Sequence, residues 1–226
     1  MSALRFADRR LNPKQLEQKT RSTVTKPIVD ETRNPWTTTS RTTAYENPWI
    51  TVEHHDVIDP SGRPGIYGVV RPRNWALAVV PIFHNGDTLL VGQYRYAMER
   101  YSWEIPEGGG VRGADPLASI QRELIEETGY RANVWLPLQT FALSNSVTDE
   151  VAMTWMAWEL VPGPAEPEST EDLQVWRLPF AETVSLVDSG TITDAITIVT
   201  VQAIELRRLR RQLPEALTAA LDHSQR

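Results

Sequence analysis

The alternation of hydrophobic and polar positions along the chain predicts a series of strands interrupted by helices. An Asp-Pro-Ser-Gly turn signal at 59–62 separates two alternating stretches and indicates a β-hairpin. The stretch 75–83 is almost wholly apolar, which is typical of a strand covered on both faces. In all, strands are predicted at residues 49–58, 65–71, 75–83, 88–96, 102–105, 133–142, 151–161 and 173–177.

Two longer stretches have the spacing of helices. The first lies between Asp115, a residue type that caps helix N-termini, and Gly129, which can end a helix in the left-handed conformation. A second long helix is predicted at 194–211, and the three glycines at 108–110 are interpreted as a loop. The apolar residues of the first helix share one face: Leu117, Ile120 and Leu124.

The order of these elements predicts an α/β fold in which helices cover a mixed β-sheet. Residues 1–40 are polar, show no sustained period, and are expected to form a loosely ordered extension. We assign 41–73 to a small N-terminal β region, 74–212 to the main domain and 213–226 to a C-terminal tail.

Composition narrows the functional classes. The 226 residues include no cysteine, which excludes disulfides and thiolate metal sites, and the net charge of −6 argues against general nucleic-acid binding. No apolar run approaches the roughly 20 residues that a membrane-spanning helix needs. The first ten residues lack the apolar core of a secretory signal. We therefore expect a cytoplasmic protein that binds neither nucleic acid nor membrane.

An acidic cluster within the first helix suggests a metal site. Glu123 and Glu127 fall on one helix face, with Glu126 beside them. Carboxylates this close repel one another unless a cation intervenes, and Arg122 can pair with Glu126, which would leave the other two available for a metal. Oxygen ligands without histidine or thiolate favour Mg²⁺ or Mn²⁺. The alternative interpretation is a solvated acidic helix face with an internal ion pair.

The spacing around the cluster resembles the Nudix box, in which a glycine, a glutamate, an Arg-Glu pair, a Glu-Glu pair and a Gly-apolar pair recur at fixed intervals. One position departs, because Ala114 stands where that family has its first glutamate. The eight matching positions are Gly108, Arg122, Glu123, Leu124, Glu126, Glu127, Gly129 and Tyr130.

The resemblance implies a Nudix-type α/β/α sandwich that uses Mg²⁺ or Mn²⁺ to hydrolyse a diphosphate linked to a nucleoside. It implies that Glu123 and Glu127 are the principal metal ligands. Glu126 would be a further ligand with a catalytic role, oriented by Arg122. The backbone carbonyl of Glu107 would complete the ligand set.

The residues before the box resemble the ADP-ribose pyrophosphatase branch of that family. The likeness rests on Gln93–Tyr96, on Trp103–Pro106 and on an upstream Asn-Pro-Trp sequence at 47–49. It implies a nucleoside diphosphate sugar such as ADP-ribose as the substrate, and a homodimer formed through the N-terminal strands. The residues implied to bind the substrate are Arg95, Trp49, Glu104 and Gly108.

The same branch has a catalytic glutamate in the loop that here runs from Leu143 to Glu150. Glu150 aligns best and Asp149 is the alternative, and either carboxylate could take a proton from a metal-polarised water. The proline that marks the branch is absent, with Ser144 in its place. GDP-mannose, a dinucleotide or a coenzyme A derivative therefore remain alternative substrates, and a non-catalytic nucleotide sensor is a further alternative.

Overall fold

A computed structural model describes residues 30–163 and 172–224 of the chain. The chain divides into two units, 1–35 and 36–226, and the architecture below belongs to the second. Most of the extension predicted at 1–40 lies outside the described residues.

The described part of the chain forms ten strands and four α-helices, together with a short 3-10 helix at Tyr96–Met98. The strands are β1 (Thr37–Glu46), β2 (Ile50–Ile58), β3 (Pro64–Pro72), β4 (Asn74–Pro81), β5 (Asp87–Arg95), β6 (Arg100–Glu104), β7 (Glu107–Val111), β8 (Tyr130–Ala142), β9 (Val151–Pro162) and β10 (Gln174–Pro179). The helices are α1 (Pro116–Thr128), α2 (Phe180–Asp188), α3 (Ala195–Leu209) and α4 (Glu215–His223).

These strands form three sheets. The N-terminal sheet has the order β1-β2-β3 and is antiparallel. A second antiparallel sheet has the order β10-β5-β6. The central sheet has the order β7-β4-β9-β8 and is mixed, because β4 and β9 run parallel whereas its other pairs are antiparallel.

Strand β4 shows why helices cover both faces of the central sheet. Successive strand side chains point to opposite faces. Leu77 and Val79 enter a buried cluster with residues of α1, whereas Ala78 and Val80 enter a second cluster with residues of α3. The predicted α/β class with a mixed sheet is confirmed. No helix in the described ranges is long and apolar enough to cross a membrane.

Helix α1 has the predicted boundaries. Asp115 caps it, because its side chain accepts a hydrogen bond of 3.0 Å from the N–H of Leu117. At the other end, Gly129 has a φ of 73°, and its N–H donates to the carbonyl of Ile125 at 2.8 Å. Both signals are local in the sequence, and they fix where the acidic cluster begins and ends.

The glycine run is a strand, so the loop expected at 108–110 is wrong. Gly108, Gly109 and Gly110 pair with β4 residues in an antiparallel ladder. Glycine is suited to this strand because its neighbours leave no room for side chains. A Cβ on Gly109, for example, would lie 2.8 Å from Nδ2 of Asn74.

Strand β1 and helix α2 were not predicted, and the segment assigned to a C-terminal tail contains helix α4. Strand β1 includes residues 37–40, which were assigned to the loosely ordered extension, and every residue of β1 is exposed. Its pairing with β2 is a backbone interaction that leaves no hydrophobic period in the sequence. Helix α2 follows β10 directly at Pro179, without the polar turn that usually separates two elements.

Candidate active site

The acidic face of α1 lies against β7. The N–H of Glu107 donates to Oε2 of Glu127 at 3.1 Å, and Glu127 is only 4% exposed. A Cβ on Gly108 would lie 2.5 Å from Oε2 of Glu123, so the missing side chain lets that carboxylate approach the strand. The structure thus brings together Glu107, Glu123 and Glu127, three residues that the resemblance implied at the metal, although they come from two separate elements.

Arg122 lies on the solvent side of this group. Its guanidinium donates to Glu126 at 2.9 Å, as expected, and also to Glu123 at 2.7 Å. The expectation that pairing with Glu126 would leave Glu123 unengaged is therefore wrong, because the two terminal nitrogens of arginine reach separate carboxylates.

A second acidic group adjoins the first. It contains one carboxylate oxygen from each of three residues, and these oxygens all lie within 4.8 Å of one another: Glu104, Glu107 and Asp194. Arg95 neutralises part of this charge: its Nε donates to Glu104 at 3.0 and 2.9 Å, and its Nη2 contacts both Glu104 and Glu107. Burial, followed by the charges of Asp194 and Glu104, raises the pKa of the Glu107 carboxyl well above its ordinary value.

These groups border a cleft. One cavity of about 570 Å³ and an adjoining one of about 550 Å³ share Arg95, Glu107, Glu150 and Ile196 in their walls. Gly108 also lines the larger cavity. Glu123 and Glu127 contact the β7 residues that form this part of the wall. The combined space is large enough for a small-molecule ligand.

The two candidate bases have different surroundings. Glu150 lines both cavities, and burial raises the pKa of its carboxyl, opposed by the charge of Arg112 and reinforced by that of Asp149. The carboxylate of Asp149 accepts hydrogen bonds from Arg71 and Arg112 instead.

The implied substrate-binding residues lie around the larger cavity. Trp49 is 71% exposed at its rim, and Arg95 and Gly108 are in its wall. Glu104 is buried and borders the smaller cavity, where its carboxylate is bonded to Arg95. Trp75 forms part of the larger wall, with the guanidinium of Arg112 4.3 Å from its ring centre.

Several residues of the site were missed in the sequence. The sequence analysis assigns Asp194 no role in the site and places it at the start of a helix, and it does cap α3 by accepting from the N–H of Thr197 at 2.7 Å. Its second position, beside Glu107, depends on how α3 packs and has no local signal. The same holds for Arg71 and Arg112, which meet at Asp149 from distant parts of the chain.

Comparison with known proteins identifies the family. Residues 72–195 match the NUDIX domain, which is more than half of the chain, and residues 36–70 match the nucleoside diphosphate sugar hydrolase N-terminal domain. The chain therefore belongs to the Nudix hydrolase family, and hydrolases of this family generally require a divalent metal.

Individual relatives agree with this assignment. The chain is 31% identical over 154 residues to an ADP-ribose pyrophosphatase of Bacillus subtilis, covering 67% of this chain and 83% of that one. It is 29% identical over 177 residues to an ADP-sugar pyrophosphatase of Mus musculus, covering 71% and 81%. A crystal structure of an ADP compounds hydrolase has the same fold, with a TM-score of 0.70, 22% identity, and coverage of 79% of this chain and 97% of that one.

The residues of the site fit a divalent metal ion. Every candidate ligand is an oxygen, which suits a hard cation. The buried Oε2 of Glu107 has no hydrogen-bond partner among the described residues, so an acceptor at the junction of the two acidic groups remains for an ion or its water. Glu123, Glu127 and the backbone carbonyl of Glu107 would hold the ion beside β7, where the missing side chain of Gly108 lets the Glu123 carboxylate approach the strand.

Replacing Gly108 with alanine should weaken metal binding without unfolding the protein. The new Cβ would displace the flexible Glu123 carboxylate rather than backbone. We expect the affinity for Mn²⁺, measured by electron paramagnetic resonance, to fall about tenfold or more, as when the support of a metal ligand is lost. Gly68→Ala is the matched control, because its Cβ would meet nothing within 4 Å. Equal Mn²⁺ affinities in the two variants would contradict the prediction.

Proposed function

We propose that the chain hydrolyses the diphosphate of a nucleoside diphosphate sugar such as ADP-ribose, with Mg²⁺ as the metal. The observation that carries this proposal is the meeting of Glu107, Gly108, Glu123 and Glu127 beside a cleft of ligand size. The names of the pyrophosphatase relatives and the match to the nucleoside diphosphate sugar hydrolase N-terminal domain support this substrate class. The products would be a nucleoside monophosphate and a sugar phosphate.

In this proposal the metal ligands are Glu123, Glu127, the backbone carbonyl of Glu107 and, as an additional ligand, Glu126. A bound divalent cation would neutralise diphosphate charge and acidify the attacking water. Arg122 orients the carboxylates of α1, to which it is already bonded.

Arg95 is the residue that we assign to the diphosphate. Its bonds to Glu104 and Glu107 use Nε and Nη2, and they hold the guanidinium at the cleft wall. Among the described residues, Nη1 is the donor group that these bonds leave over. Glu104 therefore acts by holding Arg95. Trp49 offers an exposed ring at the rim on which a nucleobase can stack.

Glu150 is the proposed general base. As water attacks phosphorus, its proton passes to the Glu150 carboxylate, and the bridging P–O bond breaks with the electron pair going to the departing phosphate. Glu150 is better placed than Asp149 because it borders the cleft, whereas Asp149 is bonded to two arginines.

Mg²⁺-dependent hydrolysis of a compound panel tests the function. We expect ADP-ribose to be cleaved faster than GDP-mannose, NADH, diadenosine polyphosphates or coenzyme A, with products separated by chromatography. Glu127→Gln should lower kcat about 100-fold or more, because electrostatic stabilisation at the diphosphate is lost. Glu182→Gln on α2 is exposed and serves as the control. Binding without turnover of any compound would contradict hydrolysis, and faster cleavage of GDP-mannose would reassign the substrate.

The pH dependence of kcat tests the base. Only the ionised carboxylate accepts a proton, so kcat should fall about tenfold per pH unit below the pKa of Glu150. Because burial raises that pKa, the fall should begin at a higher pH than for an ordinary glutamate. Glu150→Gln should lower kcat by about 10²–10⁴-fold and remove this limb. If kcat of Glu150→Gln at saturating Mg²⁺ still fell with decreasing pH as in the wild type, the acidic limb of the profile would belong to another group.

We also propose that two copies pair through the N-terminal sheet. All ten residues of β1 are exposed, and Tyr45, Trp49 and Ile66 leave large apolar surfaces uncovered there. Sedimentation should give twice the chain mass of 25.6 kDa. Ile66→Asp should shift the equilibrium to the monomer, whereas Val175→Asp on the exposed side of β10 should not. A monomeric wild-type protein at micromolar concentration would contradict the pairing.

A further inference from the structure

The loop that carries Glu150 is attached to the N-terminal sheet. The N–H of Val70 on β3 donates to the carbonyl of Val147 at 2.9 Å, and the same residue forms a parallel bridge with Thr148. The hydroxyl of Tyr67 donates to the carbonyl of Ser146 at 2.6 Å. Loop residues 146–148 thus lie along β3 like a very short added strand.

The next residue, Asp149, is held by two arginines. Its Oδ2 accepts from Nη1 of Arg71 at 3.1 Å and from Nη1 of Arg112 at 3.2 Å. Nη2 of Arg112 donates to Oδ1 and to the backbone carbonyl of the same aspartate, both at 3.2 Å. Arg112 therefore fixes both the side chain and the backbone of Asp149. Two parallel N–H···O bonds from one guanidinium to one carboxylate restrict the geometry more than a single bond does.

Each arginine is itself held by a second contact. Nε of Arg71 donates to Glu53 of β2 at 2.8 Å, and Arg112 lies over the ring of Trp75 on β4. Arg112 directly follows β7, the strand that approaches the acidic helix. Asp149 consequently joins three segments: the N-terminal sheet, the end of β7 and the loop before β9.

Glu150 follows immediately and faces the cleft. Its N–H donates to Oγ1 of Thr148 at 3.1 Å, and its carbonyl accepts from the N–H of Leu143 at 3.2 Å. The backbone at Glu150 sets the direction of its side chain, and the preceding residue, Asp149, is held by both Arg71 and Arg112.

We propose that Asp149 is a positioning residue for the reaction: its ion pairs with Arg71 and Arg112 fix the loop so that the carboxylate of Glu150 points at the attacking water. This inference rests on the proposed function, in which Glu150 is the base. Asp149 does not itself touch the substrate. Small displacements of a reacting group are costly, and one of about 1 Å can lower a rate about 100-fold.

A double-mutant cycle tests the role. With Mg²⁺ and ADP-ribose, or the panel compound that turns over fastest, Asp149→Asn should lower kcat about 10- to 100-fold with KM changed little, because the amide nitrogen would face a guanidinium. Added to Glu150→Gln, the same substitution should cause no further loss, since Asp149 acts through Glu150. General structural damage would instead multiply the two losses.

The control is Asp222→Asn. Asp222 also accepts from two arginines, Arg208 at 2.5 Å and Arg211 at 2.6 Å, but it belongs to α4 and does not line the cleft. We expect its kcat to match that of the wild type. Hydrogen exchange provides a readout without metal or substrate: amides of 143–150 should exchange faster in Asp149→Asn and at the wild-type rate in Asp222→Asn.

Four results would overturn the proposal. Unchanged exchange in Asp149→Asn would mean that the ion pairs do not hold the loop. Multiplicative losses in the double variant would mean that Asp149 does not act through Glu150. An unchanged kcat in Asp149→Asn, alongside a large loss of kcat in Glu150→Gln, would remove the positioning role alone. An unchanged kcat in Glu150→Gln would remove the proposed base and the positioning role together.

Discussion

The approach of β7 to the acidic face of α1 is the contact on which the rest of the site depends. At Gly108 the strand presents no side chain, and the carboxylate of Glu123 occupies the space that a Cβ would fill. One residue earlier, the backbone N–H of Glu107 bonds to Glu127. A larger side chain at this position would move the helix carboxylates away from the cleft. Gly108 is therefore needed for the close packing of β7 against α1, and not for a turn.

This arrangement concentrates negative charge at a cost in stability. Burial raises the pKa of Glu107, so its carboxyl favours folding below the pKa of the unfolded chain, and that contribution is lost as pH rises through the higher folded value. Arginines offset part of the repulsion, with Arg95 on one acidic group and Arg122 on the other. A site that keeps carboxylates crowded at neutral pH is one that gains from a divalent cation.

The sequence predicted those features of the site that are local. The caps at Asp115 and Gly129 set the limits of α1, and helical spacing placed Glu123 and Glu127 on one face. It did not predict that Asp194 would lie beside Glu107, or that Arg71 would reach Asp149, because these pairs are separated by most of a domain in the chain. Nor did it predict β7, since a strand of glycines has no hydrophobic alternation, and only its partner strand explains it.

The two family matches meet near residue 71, but residues from both sides of this boundary line the same cleft. Tyr67 and Val70 belong to the N-terminal match and hold the loop that leads to Glu150 in the other. Trp49, in the turn between β1 and β2, likewise belongs to the N-terminal match and lines the cleft. Because this sheet has few buried residues of its own, its order depends on what it packs against. With Glu150 as the proposed base, a change that loosens the sheet should therefore affect the reaction through the loop even where it leaves the proposed metal ligands in place, so the N-terminal sheet belongs to the same proposed site.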